Sequence, residues 1–366
     1  MAKKRTKKKS VKDIIVIIIS IILIVLSISA IIWAVLKYIV RPQKPFEQVG
    51  NVDQDSELFN IDDINYGKSK TFLICGVDES EELTDVMMLV SLDIAENKMH
   101  ILHIPRDSYV GVTTTGKMNS IYNSNYYSDI DPDISNIGRL IRMLNNQFKI
   151  GIDYHATITL SAFRDVVDEI GGIPIDLQWT IAYDGNTILY PGEQVLNGKE
   201  AEAMMRYRKG YSNADIGRME ARSYFLAAAF NKFKDVGFIE AIEIINKLNT
   251  DNPGEFTTNM SIGEMKDYLG IMSNLTSEDV FIHTLPTEIV DTYSDENPRY
   301  GQSILSMWKE ETAEMLNDYF RPYSDPVDAD DLGIYEIVHN EGNGYVEDTY
   351  SFDDINKGEA TKPRNS

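Results

Sequence analysis

Three polar clusters interrupt apolar runs in this 366-residue chain, and their side chains are of the kinds that handle phosphate. The first is Asp78, which closes an apolar run, with Thr84 and Asp85 opening the next. Two carboxylates at neighbouring strand ends suit a hard cation such as Mg²⁺, which takes one or two carboxylates and completes its shell with phosphate oxygens and water. Aspartate at a strand boundary is also an ordinary turn former. The second cluster is Ile104-Pro105-Arg106-Asp107, followed by Lys117 and Asn119, where the plainer account is a local salt bridge worth under about 1 kcal/mol. The third holds Arg206, Tyr207, Arg208, Asp215, Arg218 and Arg222. Arg218 and Arg222 are four apart and share a helix face, while Arg206 and Arg208 point the same way only in extended chain. A guanidinium fork satisfies two phosphate oxygens at fixed geometry, so the group reads as a seat for phosphate or pyrophosphate. The alternative is a helix face bridged by Asp215 and Glu220.

Charge sharpens that reading. The formal net charge is −22, and the 330 residues after Leu36 carry 28 basic against 56 acidic groups. So anionic a surface repels nucleic acid, which needs a cationic face, and any polyanion must meet a local basic pocket. Five histidines, His100, His103, His155, His283 and His339, show no zinc-ligand spacing. The single cysteine, Cys75, lies inside an apolar run and reads as a small buried hydrophobe.

The clusters need elements to position them. Lys70–Val77, Val86–Ile94 and Met99–Ile104 read as strands, with a hairpin turn at Ala95–Lys98. From Ile134 the period turns helical through Phe148, and a strand is expected at Tyr154–Thr159. Ser161 is the expected cap of a helix ending at Gly171-Gly172, followed by a strand at Ile173–Leu177 and a turn-rich stretch from Tyr190 to Gly198. Helices are expected at Lys199–Tyr207, from Asp215 to about Lys234, at Ile239–Leu248 and at Ile262–Leu275, the last opened by a Ser261–Glu264 capping box. Asp279–Leu285 reads as a strand and Ile304–Tyr319 as a final amphipathic helix. The expected fold is α/β or α+β, a central mixed β-sheet flanked by helices.

At the N-terminus, the apolar run Ile14–Leu36 follows seven Lys and Arg residues. At roughly 1.5 Å per residue it is about 35 Å long, enough to cross a hydrocarbon core of about 30 Å. It ends in Lys37, Tyr38 and Arg41 rather than in a small-residue cleavage site, and the basic flank holds the N-terminus in the cytoplasm. The expected organisation is a basic cytoplasmic tail (1–12), a transmembrane helix (13–40), an extracellular linker (41–69), a catalytic domain (70–320) and an acidic, partly disordered tail (321–366).

In order along the chain, Phe72-Leu-Ile-Cys-Gly-Val-Asp78, Thr84-Asp-Val-Met-Met-Leu-Val-Ser-Leu-Asp93, Ile104-Pro-Arg-Asp107, Lys117-Met-Asn119, Gly171-Gly-Ile-Pro174, Pro191-Gly-Glu-Gln-Val-Leu-Asn-Gly198 and Arg206-Tyr-Arg208 through Gly217-Arg218 resemble the LytR-CpsA-Psr family of Gram-positive envelope proteins. The resemblance implies a membrane-anchored, extracellular phosphotransferase that moves an anionic glycopolymer, such as wall teichoic acid or capsule, from a polyprenyl pyrophosphate carrier onto peptidoglycan. It implies Mg²⁺ or Mn²⁺ on Asp78 and Asp85, pyrophosphate held by Arg106, Lys117, Arg206, Arg208, Arg218 and Arg222, and a proton taken by Asp78 or Asp107. It further implies an isoprenoid channel lined by some of Phe163, Val167, Leu226, Phe230 and Ile244, which by sequence alone are ordinary core. Two departures bear on the substrate subclass: Leu83 stands where an arginine is frequent, and Ala221-Arg222 stands where Arg-Gln is frequent, making Arg222 the candidate substitute for a lost contact. Two other functions fit parts of the pattern, a polyprenyl-pyrophosphate phosphatase and a non-catalytic anchored regulator of the envelope.

Overall fold

The computed structural model describes residues 68–78, 83–113, 115–183, 187–206, 216–290, 303–337, 344–345 and 349–357. Its strands are β1 (Ser69–Val77), β2 (Thr84–Asp93), β3 (Lys98–His103), β4 (Tyr154–Thr159), β5 (Ile173–Leu177), β6 (Ile181–Tyr183), β7 (Thr187–Leu189), β8 (Gly192–Leu196), β9 (Phe256–Thr258), β10 (Val280–Thr284), β11 (Thr287–Val290), β12 (Ile304–Met307), β13 (Gly344–Tyr345) and β14 (Tyr350–Ser351). Its α-helices are α1 (Asn136–Phe148), α2 (Leu160–Glu169), α3 (Gly198–Arg206), α4 (Ile216–Val236), α5 (Phe238–Asp251), α6 (Ile262–Met272), α7 (Lys309–Met315) and α8 (Phe352–Asn356).

Seven strands form one mixed sheet in the order β14-β10-β3-β2-β1-β4-β9. The β1–β2 and β2–β3 pairs are antiparallel, while β4 joins β1 and β10 joins β3 in parallel. Both faces are covered, which is why β2 reads as a nearly continuous apolar run rather than an alternating one. Val86, Val90 and Leu92 face a core shared with α2, α3 and α4, and Met87 and Leu89 face a second core built on α1 and the α7 region. The central strands are therefore buried on both sides and end at one rim, where the polar residues emerge. Cys75 is fully buried, and burial pushes its thiol pKa well above the usual range, so it packs as a hydrophobe.

Local chemistry explains the helix ends. Ser135 caps α1 by accepting from Gly138 N at 3.1 Å, and the Ser261–Glu264 capping box is formed at α6. The cap of α2 is Thr159, accepting from Ala162 N at 3.2 Å, rather than Ser161, which lies inside the helix. Gly171 and Gly172 stop α2 at φ +80° and +81°, where a side chain would be strained.

Several segments differ from the sequence expectation. Ile304–Tyr319 is not one helix: Ile304–Met307 is the fully buried β12, paired antiparallel with β11, and the helix begins only at Lys309. Four consecutive buried residues satisfy a strand covered on both faces as readily as they satisfy one helical turn. Within the turn-rich Tyr190–Gly198 stretch, β8 pairs with β5. The short strands β6, β7 and β9 also escaped the sequence reading. Beyond Pro322, expected as a tail, β14 adds an edge strand beside β10, and Phe352 and Ile355 of α8 are buried in the main core. Among the described residues no helix is long and apolar enough to cross a membrane, and the apolar run 14–36 lies outside them.

Candidate active site

The site grows from the rim where β1 ends and β2 begins. Register runs Gly76↔Val86 and then Val77↔Thr84, which leaves Asp85 as the extra residue of a β-bulge. Regular alternation would put Asp85 on the face of Met87 and Leu89. A bulge re-aims the side chain, as bulges near functional sites do. Across the rim, Asp78 N donates to Leu83 O at 3.1 Å, placing Asp78 at the same sheet end.

On the other side of β2, Ile104 N still donates to Met87 O at 3.0 Å, after which Pro105 ends the ladder and Arg106 emerges. The segment is pinned by Leu305 of β12, whose N donates to Asp107 O at 3.0 Å and whose O accepts from Tyr109 N at 2.8 Å. Arg106 Nη1 donates to Asp85 Oδ1 at 2.7 Å, and its Nε lies 3.7 Å from Asp107 Oδ1. Lys117 Nζ donates to the same Asp107 oxygen at 3.0 Å.

The third cluster arrives from α3. Asn197 caps that helix, and Gly198 lets it cross α2 at backbone contact, since a Cβ there would lie 2.2 Å from Arg164 O. Arg206, the last residue of α3, places Nη2 3.4 Å from Asp85 Oδ2, while its Nη1 donates to Glu202 Oε1 at 3.0 Å. The second Glu202 oxygen accepts from Arg164 Nη1 at 2.6 Å. Charges of alternating sign thus run Arg164, Glu202, Arg206, Asp85, Arg106, Asp107, Lys117, each within 4 Å of the next.

Arg222 of α4 plays a different part from the one its sequence suggested. It is 5% exposed, and it donates from Nε to Met205 O at 3.0 Å and from Nη2 to Asp85 O at 3.2 Å. Arg208 and Asp215 lie outside the described residues, as does the side chain of Arg218, whose backbone is in the first turn of α4. The structure thus joins Asp85, Arg106, Asp107, Lys117 and Arg206 in one network, with Asp78 at its edge and Arg222 beneath it.

Two participants escaped the sequence reading, Glu202 and Arg164. Glu202 had a usable signal in its four-residue spacing from Arg206. Arg164 had none, because its contact depends on the crossing of α2 and α3. Under the site, His103 is 2% exposed, with neither ring nitrogen partnered among the described residues. Burial, with the Arg222 charge adding, pushes its pKa down to about 3, so it is neutral.

An apolar cavity of about 170 Å³ is bounded by α2, α4, α5, β5 and the strands β4 and β9. Of the five residues among which the resemblance sought the lining of a channel, Phe163 and Val167 line this cavity and Leu226, Phe230 and Ile244 do not; Phe225, Ala229 and Phe233 face it from α4, and Ile245 and Leu248 from α5. Phe225, Ala229 and Ile245 lie one position along their helices from Leu226, Phe230 and Ile244. Two cavity-lining residues adjoin members of the charged network in sequence: Phe163 is the chain neighbour of Arg164, and Phe225 stands one turn after Arg222.

TagU of Bacillus licheniformis, named polyisoprenyl-teichoic acid–peptidoglycan teichoic acid transferase, is 26% identical over 220 residues, covering 59% of this chain and 68% of TagU. TagU of Bacillus subtilis, with the same name, is 26% identical over 237 residues, 63% of this chain and 74% of the relative. The crystal structure of Bacillus subtilis TagV shares the fold at a TM-score of 0.53 and 24% identity, covering 70% of this chain and 98% of that one. The bulged aspartate, the arginine after the Ile-Pro step and the glycine-gated helix lie inside residues 38–318, which match the LytR_cpsA_psr family model over more than half of the chain, and the protein belongs to the LytR-CpsA-Psr family.

Proposed function

We propose that this chain transfers an anionic glycopolymer, wall teichoic acid or a capsule-like polymer, from a polyprenyl pyrophosphate carrier to peptidoglycan at the outer face of the cell membrane. The observation that carries the reading is the convergence of Arg106 and Arg206 on one carboxylate, Asp85, in a charged network whose Arg164 adjoins Phe163 of an apolar cavity. Two forks that meet a carboxylate in this way present the geometry and charge that a phosphate requires. The apolar cavity suits a hydrocarbon chain joined to that phosphate, and at about 170 Å³ it takes part of such a chain rather than all of it. The TagU relatives, named for transfer of teichoic acid from a polyisoprenyl carrier to peptidoglycan, support both donor and acceptor.

In the proposed reaction a glycan hydroxyl of peptidoglycan attacks the phosphorus that bears the glycopolymer. A new P–O bond forms, the bridging P–O bond breaks, and polyprenyl monophosphate leaves with the electron pair. The hydroxyl proton passes to Asp78 or Asp107. Arg106, Arg206 and Lys117, with Arg208 and Arg218 from the same sequence cluster, offset the charge that gathers on the phosphate oxygens. Mg²⁺ or Mn²⁺ would be held by Asp78 and Asp85, which supply hard oxygens; because the Asp85 oxygens face Arg106 and Arg206 here, the ion would share or displace those contacts, with phosphate and water completing its shell. The ion would act as a Lewis acid on the phosphoryl oxygens. The run 14–36 anchors the enzyme so that a membrane-borne donor reaches the site.

The test incubates the full-length chain in detergent micelles with a lipid-pyrophosphate glycan, a peptidoglycan oligomer and Mg²⁺. Glycan attached to peptidoglycan by wild type, and reduced at least about hundredfold by Arg106→Ala and Asp85→Ala, is the expected result. Lipid phosphate released at the same rate without acceptor overturns transfer in favour of hydrolysis.

A further inference from the structure

Glu202 sits badly in a seat built for a polyanion. Its side chain is 9% exposed, and a carboxylate buried next to bound phosphate repels it. Yet both oxygens are engaged, Oε1 by Arg206 at 3.0 Å and Oε2 by Arg164 at 2.6 Å. None of the segments that carry the family resemblance contains Glu202 or Arg164.

We infer that Glu202 is a positioning residue: with Arg164 as its counter-charge, it holds the Arg206 guanidinium in the orientation that receives pyrophosphate. The inference rests on the transferase reading of the same site. Arg206 ends α3, and its side chain is 36% exposed, so without a tether it would sample many rotamers. Glu202, one turn earlier on the same helix, removes that freedom before substrate arrives. Arg164 supplies the positive charge that cancels Glu202, leaving the charge of Arg206 available to phosphate. The spacing of the pair is set by the backbone, because Gly198 brings α3 against the Arg164 carbonyl. Removing the carboxylate leaves two guanidinium groups facing each other, and their repulsion turns Arg206 away from Asp85. Positioning therefore outweighs repulsion of the ligand.

The experiment measures two quantities on the full-length chain in detergent micelles: calorimetric binding of geranyl pyrophosphate, and the KM and kcat of glycan transfer. Glu202→Gln is expected to weaken geranyl pyrophosphate binding and raise KM about tenfold, to lower kcat because the displaced Arg206 also offsets charge in the reaction, and to lower the melting temperature by a few degrees while the chain stays folded at the assay temperature. Arg164→Gln, at a more exposed site, should weaken binding about threefold, and the double variant should be no worse than Glu202→Gln, because Arg164 acts through Glu202. Binding that is unchanged or tighter in Glu202→Gln overturns the inference, as does a fall in kcat with binding intact. Should Glu202→Gln fail to fold, Arg164→Gln decides alone, and unchanged binding there overturns the inference. A wild type that binds geranyl pyrophosphate but transfers no glycan defeats the transferase reading while the binding comparison still judges Glu202. A wild type that binds no geranyl pyrophosphate overturns the inference outright.

Discussion

Arg222 holds the backbone of Asp85. Its Nη2 donates to the Asp85 carbonyl at 3.2 Å while its Nε donates to Met205 O at 3.0 Å, so one buried guanidinium ties the bulge of β2 to the residue before Arg206. The separation of Asp85 and Arg206 is thereby set from beneath, by main-chain contacts that do not depend on either side chain.

From this tie it follows that Arg222→Gln damages the scaffold first. Two charge-assisted hydrogen bonds to buried carbonyls are lost at about 1.5–3 kcal/mol each at most, and glutamine recovers part of one. The expected loss of stability is about 2–3 kcal/mol, read as a lower urea midpoint with an unchanged slope.

Asp85→Asn tests the carboxylate between the two forks. The amide keeps the shape but leaves Arg106 and Arg206 without their shared counter-charge. Removing one partner of a fully buried pair costs about 3–5 kcal/mol, and the 36% exposure of Arg206 reduces the expected cost to about 1–3 kcal/mol. Thermal unfolding measures it. A variant as stable as wild type would mean that water already screens the network.

The three polar clusters could be read from residue type because Asp78, Arg106 and Arg206 each stand where an apolar element stops. What brings them together could not. The bulge at Asp85 leaves no mark in a strand whose neighbours are buried on both faces, and Arg222 looked like a phosphate ligand because four-residue spacing from Arg218 says nothing about which carbonyls lie below. Ile304–Met307 was misassigned because four buried residues suit either periodicity. By contrast, the return of the chain to the sheet at β14 had a readable sign in Ser351 and Asp354, a capping box set just before the buried Phe352 and Ile355.

Ala229→Leu tests the cavity. Ala229 is buried on the wall contributed by α4, and added methylenes there enter a space of about 170 Å³. Burial at about 0.8 kcal/mol per methylene gives stabilisation of up to about 2 kcal/mol, against the strain of an imperfect fit. If the cavity receives the isoprenoid, KM for a long polyprenyl donor rises several-fold while that for a geranyl donor changes less. Equal effects on both donors would place the hydrocarbon elsewhere.

Stability should fall on mild acidification, and three histidines set the window. Burial pushes the pKa of His100 and His103 down to about 3 and that of His155 to about 4, with the charges of His283 and Lys98 adding at His100. In the unfolded chain each returns to about 6.5. Between those values the unfolded state binds more protons, so stability is complete above about pH 6.5 and is lost as pH falls towards the folded pKa values. The carboxylates held low by hydrogen bonds, Glu264 through Ser261 and Asp279 through Thr276, lose their contribution only below the usual carboxylate range, which leaves pH 5–6.5 to the imidazoles. Each contributes up to about 2 kcal/mol of destabilisation at pH 5. His103→Leu removes a ring with neither nitrogen partnered among the described residues, and it should flatten the dependence of the urea midpoint on pH between 6.5 and 5. A variant with the same pH slope as wild type would show that His103 takes up its proton in the folded state as easily as in the unfolded one.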